Sequence, residues 1–366
     1  MNVLNMDHIE FYVGDARQAA QYLCTAYGFR VYGHGGPETG LPGQRSVLLG
    51  QHHIRILLTS GLQPNHPASQ FVATHGDGAA VTAFSTDDAA AAFKEAVDGG
   101  GTGLSNPRTW ADGATSVVTA DVAGFGDVVY RLVERHGADT SFLPGAIEMV
   151  PDADADAAAE DGLLRVIDHA AVCVPVGELD ATIARHERAF GFAVTFEEYI
   201  EVGEQGMRSK VVQSPSGGVT FTFMEPDISR RPGQIDDFLA WHHGAGVQHV
   251  AFGTNDIVRA VRTYADRGVE FAPTPSSYYD VLAPRLGATE LEVGALRPLG
   301  ILVDRDHWGQ MYQIFAKSTH IRRTYFIELI DRHGARTFGT SNIPALYAAK
   351  ERELAEIRNT ADPSRV

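Results

Sequence analysis

Cysteine is scarce in this chain of 366 residues: only Cys24 and Cys173 occur. Two lone thiols make no disulfide framework, so a reducing compartment is expected and apolar burial must hold the fold. Cys173 stands in an apolar run, where it reads as a buried small hydrophobe rather than a reactive thiol. Positive charge is also in deficit, with 30 Lys and Arg against 46 Asp and Glu, a formal net charge of −16. That balance argues against nucleic-acid phosphates or an anionic membrane surface as partner. No apolar stretch approaches the length of a membrane span. The first residues, with Asp7 and Glu10 among them, do not form a charged-then-apolar leader. A cytoplasmic protein is expected, long enough for two domains of ordinary size, each with its own core.

What the chain does have is repetition. Met6-Asp7-His8-Ile9-Glu10-Phe11-Tyr12-Val13 returns as Ile167-Asp168-His169-Ala170-Ala171-Val172-Cys173-Val174. The run from His75 to Phe84 is echoed from His243 to Phe252, and the run from Arg131 to Gly137 from Glu328 to Gly334. The matched columns place His169, His249 and Glu328 in the second copy against His8, Val81 and Arg131 in the first. Valine cannot bind a metal and arginine would repel one. Two histidines and a carboxylate are the ligand set of a non-haem Fe(II) site with open positions; on ligand type alone, zinc also fits. Glu328, inside the apolar run from Tyr325 to Ile330, would be costly to bury without a partner, and a metal supplies one.

Between the copies, Pro151 to Asp161 is a small-residue, acidic run. It predicts a first domain over 1–150 that lacks a metal, a linker over 151–161, and a catalytic domain over 162–366. Each half opens with a strand (Ile9 to Val13; Ala170 to Val174). A helix follows (Ala16 to Tyr27; Leu179 to Phe190), closing on Gly28 or Gly191. Short strands come next, and the rhythm restarts within each half, so the spacing predicts four βαβββ modules of the α+β class. The gap between matched residues widens along the chain, which places an insertion between Tyr278 and Asp306 of the second copy. Long insertions in compact domains are often functional. The stretch from Ser341 to Ile357 reads as a C-terminal helix.

At these residues the chain resembles a known family. The motifs are Gly244 to Phe252, the Tyr278-Tyr279 pair, Gln313-Ile314-Phe315, Phe326 to Ile330 and Phe338-Gly339-Thr340-Ser341-Asn342-Ile343. They resemble 4-hydroxyphenylpyruvate dioxygenase and 4-hydroxymandelate synthase, members of the vicinal oxygen chelate superfamily. The resemblance implies that fold, with the second domain an open barrel around Fe(II) closed by the C-terminal helix. It implies His169, His249 and Glu328 as iron ligands. Substrate contacts would come from Ser209, Thr222, Gln234, Gln248, Gln313, Phe315, Phe338, Asn342 and Ile343. Ser209, Gln313 and Ile343 would be the residues closest to the chemistry. The implied partners are a small aryl 2-oxo acid and O2, with a homo-oligomer left open.

The implied reaction is oxidative decarboxylation of 4-hydroxyphenylpyruvate, followed by oxygenation at one of two places. Hydroxylation of the benzylic carbon gives 4-hydroxymandelate; ring attack with side-chain migration gives homogentisate. Where the dioxygenases carry a glycine-asparagine-phenylalanine triplet, this chain has Ser341-Asn342-Ile343, which looks like the mandelate synthases. A branched aliphatic in place of an aromatic wall would let the ring turn its benzylic carbon to the oxidant. By family analogy alone, a mandelate product implies a role in antibiotic biosynthesis. An extradiol dioxygenase shares the ligand set, but needs acid–base groups beside it, for which Tyr278, His242 or His243 would be the candidates.

Overall fold

The computed structural model describes residues 1–137, 141–151, 162–339 and 341–345. All but the first residue of the expected 151–161 linker, and residues 346–357 of the expected C-terminal helix with the residues after it, lie outside the described residues. Residues 342–345 open that helix.

Two curled sheets carry the chain. The first has the order β6-β7-β8-β5-β1-β4-β3-β2-β9 and the second β11-β12-β13-β10-β14-β17-β16-β15. In the first half the strands are β1 (Val3–Tyr12), β2 (Arg30–Gly35), β3 (Gln44–Gln51), β4 (Ile54–Gly61) and β5 (Gly78–Thr86). They continue with β6 (Gly103–Asp112), β7 (Thr115–Ala123), β8 (Val129–His136) and the short β9 (Glu148–Met149). The second half runs β10 (Val166–Cys173), β11 (Ala193–Val202), β12 (Gln205–Gln213), β13 (Thr220–Pro226), β14 (Gly246–Gly253), β15 (Leu302–Arg305), β16 (Gln310–Phe315) and β17 (Phe326–His333). Read from β2 to β6, the first sheet repeats the order of the second, with β9 added at its β2 edge. Four βαβββ modules are therefore present, two to a sheet.

The helices end where the local chemistry ends them. In α1 (Ala16–Tyr27), Asp15 Oδ1 accepts from the Arg17 and Gln18 amides at the start, and Gly28 takes the left-handed conformation at the end. Gly191 plays the same part for α4 (Leu179–Phe190). The other helices are α2 (Pro67–His75), α3 (Ala89–Asp98), α5 (Gln234–His242) and α6 (Ile257–Asp266). Three short ones, α7 (Ser276–Asp280), α8 (Leu282–Leu286) and α9 (Val293–Leu296), occupy the insertion. No described helix is long and apolar enough to cross a membrane.

The halves do not keep separate cores. The main buried cluster runs from Val3, Phe84 and Tyr130 of the first half to Phe190, Phe221 and Phe252 of the second. Small residues let the seam close: a Cβ on Gly99, just past α3, would stand 2.4 Å from the Arg188 carbonyl of α4. In the seam, the Tyr130 hydroxyl on β8 donates to His186 Nε2 on α4 at 2.6 Å, while His186 Nδ1 donates to the Thr182 carbonyl at 2.7 Å. Burial among Phe190, Phe192 and Phe223 pushes the His186 pKa down to about 4.

Because that value lies below the free-imidazole range, the neutral ring's contribution is full above about pH 6.5 and is lost as pH falls towards 4. His186→Phe should cost roughly 1–3 kcal/mol at pH 7, since it strands the Tyr130 hydroxyl. The gap to the parent should narrow between pH 6.5 and 4 in urea titrations; parallel pH curves would remove His186 from the account.

Candidate metal centre

Three neighbouring strands of the second sheet bring His169, His249 and Glu328 together. In the antiparallel β10–β14 pair His169 stands opposite Ala251, and in the parallel β14–β17 pair Ala251 stands opposite Glu328. His249 precedes Ala251 by two residues and so shares its face. Alanine between two reaching side chains leaves them room to meet above it. One ligand atom from each of the three residues lies within 4.8 Å of the others. His169 Nε2 and His249 Nε2 each stand 3.3 Å from Glu328 Oε2.

The far ring nitrogens are already committed. His169 Nδ1 lies 2.8 Å from Asp168 Oδ1, and His249 Nδ1 lies 3.3 Å from Gln248 Oε1. With Nδ1 as donor in each ring, both Nε2 atoms face the Glu328 carboxylate and are the ones left to ligate a metal once any proton there is displaced. Burial would lower the His169 pKa, but the carboxylates of Asp168 and Glu328 outweigh it and push it up to about 9. Burial would likewise raise Glu328, yet the two imidazoles hold it below its ordinary value. His249 is lowered by burial. The donor set, its burial and its tautomers fit a divalent cation that takes nitrogen and oxygen ligands.

Aromatic rings close around the cluster. Phe326 stacks on His249 with centroids 4.9 Å apart, Phe315 meets it edge-on at 5.8 Å, and Phe338 meets His169 edge-on at 5.0 Å. Beyond them opens a cavity of about 1670 Å³. Every residue expected to touch substrate lines it: Ser209 from β12, Thr222 from β13, Gln234 at the head of α5, Gln248 from β14, Gln313 and Phe315 from β16, and Phe338, Asn342 and Ile343 after β17. Gln313 lies under Gly339, where a Cβ would come within 2.4 Å of its amide nitrogen. Ile343 is half-buried against the cluster of Ile200, Met207 and Phe238.

Other candidates lie elsewhere. His242 stacks on Phe238 and on His75 at the seam, with centroids 4.9 and 4.4 Å apart. The Tyr278 hydroxyl is engaged by Val303 and Asn342. Neither His242, His243 nor Tyr278 lines the cavity.

Sequence reasoning passed over the group that holds His169. Arg332 on β17 clamps Asp168 with two bonds, Nε to Oδ2 at 2.7 Å and the second terminal nitrogen to Oδ1 at 2.8 Å. Its remaining nitrogen donates to the carbonyls of Ala335 and Thr337, and the guanidinium lies over Phe338 at 5.0 Å. One cation thus ties the orienting carboxylate of His169 to the segment that covers the cavity. Burial would raise the Asp168 carboxyl, but Arg332 and His169 hold it well below the usual range.

The first half repeats this clamp without the cluster. Arg135 donates to Asp7 at 2.8 and 2.7 Å and to the Phe142 carbonyl, and lies over Phe142 at 5.1 Å. His8 bonds Asp7 at 2.6 Å and meets Phe142 edge-on. The registers match too: His8 opposite Ala83, and Ala83 opposite Arg131. At the Glu328 position, Arg131 is paired with Glu10 at 2.9 Å and Asp121 at 2.8 Å. At the His249 position Val81 is fully buried.

The description Glyoxalase/Bleomycin resistance protein/Dioxygenase superfamily matches residues 5–126 and 166–282. A probable 4-hydroxyphenylpyruvate dioxygenase 2 of Aspergillus fumigatus is 34% identical, covering 97% of this chain and 95% of that one. The 4-hydroxyphenylpyruvate dioxygenase of Yarrowia lipolytica is 31% identical over 96% and 93%. Among solved structures, a triple mutant of 4-hydroxymandelate synthase from Streptomyces coelicolor superimposes with a TM-score of 0.86. It shares 40% identity, with 97% of this chain and all of that one covered.

The repeated clamp makes a prediction that needs no metal. Asp168→Ala and Asp7→Ala should each destabilise the metal-free protein by about 3 kcal/mol in urea unfolding, since each strands a largely buried guanidinium. Losses near zero at both sites would show that the clamps hold nothing.

Proposed function

The chain belongs to the 4-hydroxyphenylpyruvate dioxygenase family of this superfamily, a family of non-haem dioxygenases, and within it we propose that the protein converts 4-hydroxyphenylpyruvate and O2 to 4-hydroxymandelate and CO2. One observation carries the reading: His169, His249 and Glu328 converge in an aromatic-walled cavity that is also lined by Ile343 rather than a phenylalanine. Residues 162–366 are read as the catalytic domain and residues 1–150 as a companion without a metal. His169, His249 and Glu328 would hold Fe(II), which when bound supplies chelation of the oxo acid and activation of O2.

The remaining work belongs to the protein. Three ligands on one face leave the cavity side free, so the oxo-acid end of the substrate is directed there and the aryl ring outward. Phe315, Phe326 and Phe338 exclude water from the reacting carbons. Ser209, Thr222, Gln234, Gln248 and Gln313 offer hydrogen bonds that fix the oxygens of the substrate. The oxo-acid group loses CO2 and becomes the product carboxylate, carrying one atom of O2. The second atom goes to whichever carbon the walls present. Ile343, packed against Ile200, Met207 and Phe238, leaves the ring room to turn its benzylic carbon inward.

Homogentisate is the second reading, favoured by the curated relatives that bear the dioxygenase name. The position of His242 at the seam speaks against extradiol chemistry, which needs an acid–base group inside the cavity.

Aerobic incubation of the protein with Fe(II) and 4-hydroxyphenylpyruvate should consume O2 and yield 4-hydroxymandelate. Homogentisate as the main product would decide for the second reading; no O2 uptake would overturn both. Ile343→Phe should raise the homogentisate fraction, and an unchanged ratio would acquit Ile343 as selector. Glu328→Ala should abolish turnover and weaken Fe(II) binding by at least tenfold, read by metal titration.

A further inference from the structure

The insertion has no counterpart in the first half, where β6 follows α3 after a short turn. Its helices α7 and α8 send two side chains under β15 to meet the start of the C-terminal helix. The fully buried Tyr278 places its hydroxyl 2.6 Å from Asn342 Oδ1 and 2.9 Å from both the amide and the carbonyl of Val303. A terminal nitrogen of Arg285 lies 2.9 Å from the same Asn342 oxygen and 2.7 Å from the Val303 carbonyl. Next to them, Ser341 Oγ donates to Asp304 Oδ1 at 2.5 Å, a tie that a glycine at that position would lack.

Carboxamide orientation is normally a choice between two similar atoms. Here chemistry makes the choice. A guanidinium only donates, so the Asn342 atom facing Arg285 must be the oxygen. The NH2 group is therefore forced the other way. Asn342 is 1% exposed and lines the cavity, and its Nδ2 is buried with no hydrogen-bond partner among the described residues. A buried donor left unpaired is costly, and a ligand oxygen would relieve it.

We infer that Arg285 and Tyr278 are positioning residues that lock Asn342 as a fixed hydrogen-bond donor to an oxygen of the bound aryl oxo acid. The inference rests on the function proposed above and adds the part of the chain that controls how the ligand is read. The insertion supplies no lining atom from either residue; it acts through the one carboxamide it orients.

Anaerobic calorimetric titration of 4-hydroxyphenylpyruvate into the full-length, Co(II)-loaded protein tests it. Asn342→Asp keeps an oxygen for Arg285 and Tyr278 but removes the donor, so Kd should rise about tenfold or more. A purely structural tie would leave affinity intact in that variant. Arg285→Met frees the carboxamide to turn and should weaken binding about tenfold, with Tyr278→Phe in the same direction. Combining Arg285→Met with Asn342→Asp should add less than twofold to the loss, because both act on one bond. Co(II) affinity should stay at the parent value throughout. If Arg285→Met does not fold by circular dichroism, Arg285→Lys, which keeps the charge but loses the fork, is measured in its place. Binding within twofold of the parent for Asn342→Asp, or fully multiplicative losses in the double variant, would overturn the inference while leaving the function standing. A parent protein that binds Co(II) but no 4-hydroxyphenylpyruvate would overturn both.

Discussion

Strand register across β10, β14 and β17 is the constraint on which the site depends. Neighbouring strands lie about 4.8 Å apart, so His169 and Glu328, each opposite Ala251, start roughly 10 Å from one another. An imidazole and a carboxylate leaning over an alanine can close that distance; over a leucine they could not. A slip of one residue on either outer strand would send its ligand to the other face. The pairing is set by the apolar residues that alternate with the ligands, Ala170, Val250 and Ile327, all of which sit in the shared core. The His–His–Glu cluster is thus a consequence of where hydrophobic side chains must go.

The two halves separate scaffold from chemistry. Both keep the row of histidine, alanine and a charged residue, and both keep the aspartate–arginine clamp over a phenylalanine. Only the second keeps ligands at all three positions. In the first, a guanidinium held by Glu10 and Asp121 sits in the register position of Glu328, so a built-in cation answers the carboxylates there. Retention of the clamp without the cluster argues that its first duty is mechanical: it fastens the chain after the last long strand back over the barrel. In the second half the same bond also orients His169.

Much of this was legible in the sequence. Helices α1 and α4 fall on the expected residues, because a glycine at each end marks them, and the repeated strands fixed the columns that select His169, His249 and Glu328. The clamp was visible only in retrospect. Asp7 and Asp168, Arg135 and Arg332 repeat in both copies, yet a charge beside a turn in sequence gives no sign of a partner more than a hundred residues away. Separate cores were expected from length and duplication. The seam defeats that expectation, since α3 and α4, besides covering their own sheets, pack against each other across it and join the two halves in one buried cluster. The orientation of Asn342 was beyond reach for a different reason: Arg285 belongs to the insertion, which has no repeat to be read against.

The difference between a filled barrel and an open one comes down to few side chains. After β8, Phe142, Leu143, Ala146 and Ile147 pack into the first barrel against Leu48, Leu57 and Val133. The second half has Phe338 in the place of Phe142, under the same arginine and beside the equivalent histidine. Its next residue is Gly339, in the left-handed conformation, where the first half has Leu143. Without a side chain there, Gln313 comes up beneath the backbone instead of an aliphatic plug coming down. Val81 becomes His249 on the neighbouring strand. Removing one leucine's volume from the cover and adding one imidazole to the floor exchanges apolar packing for a cavity with a polar head. The stability given up there has to come from elsewhere, and the core common to both sheets is where it is found. The first half, which lacks the His–His–Glu cluster, is for that reason not idle: it carries packing that an emptied barrel cannot carry for itself.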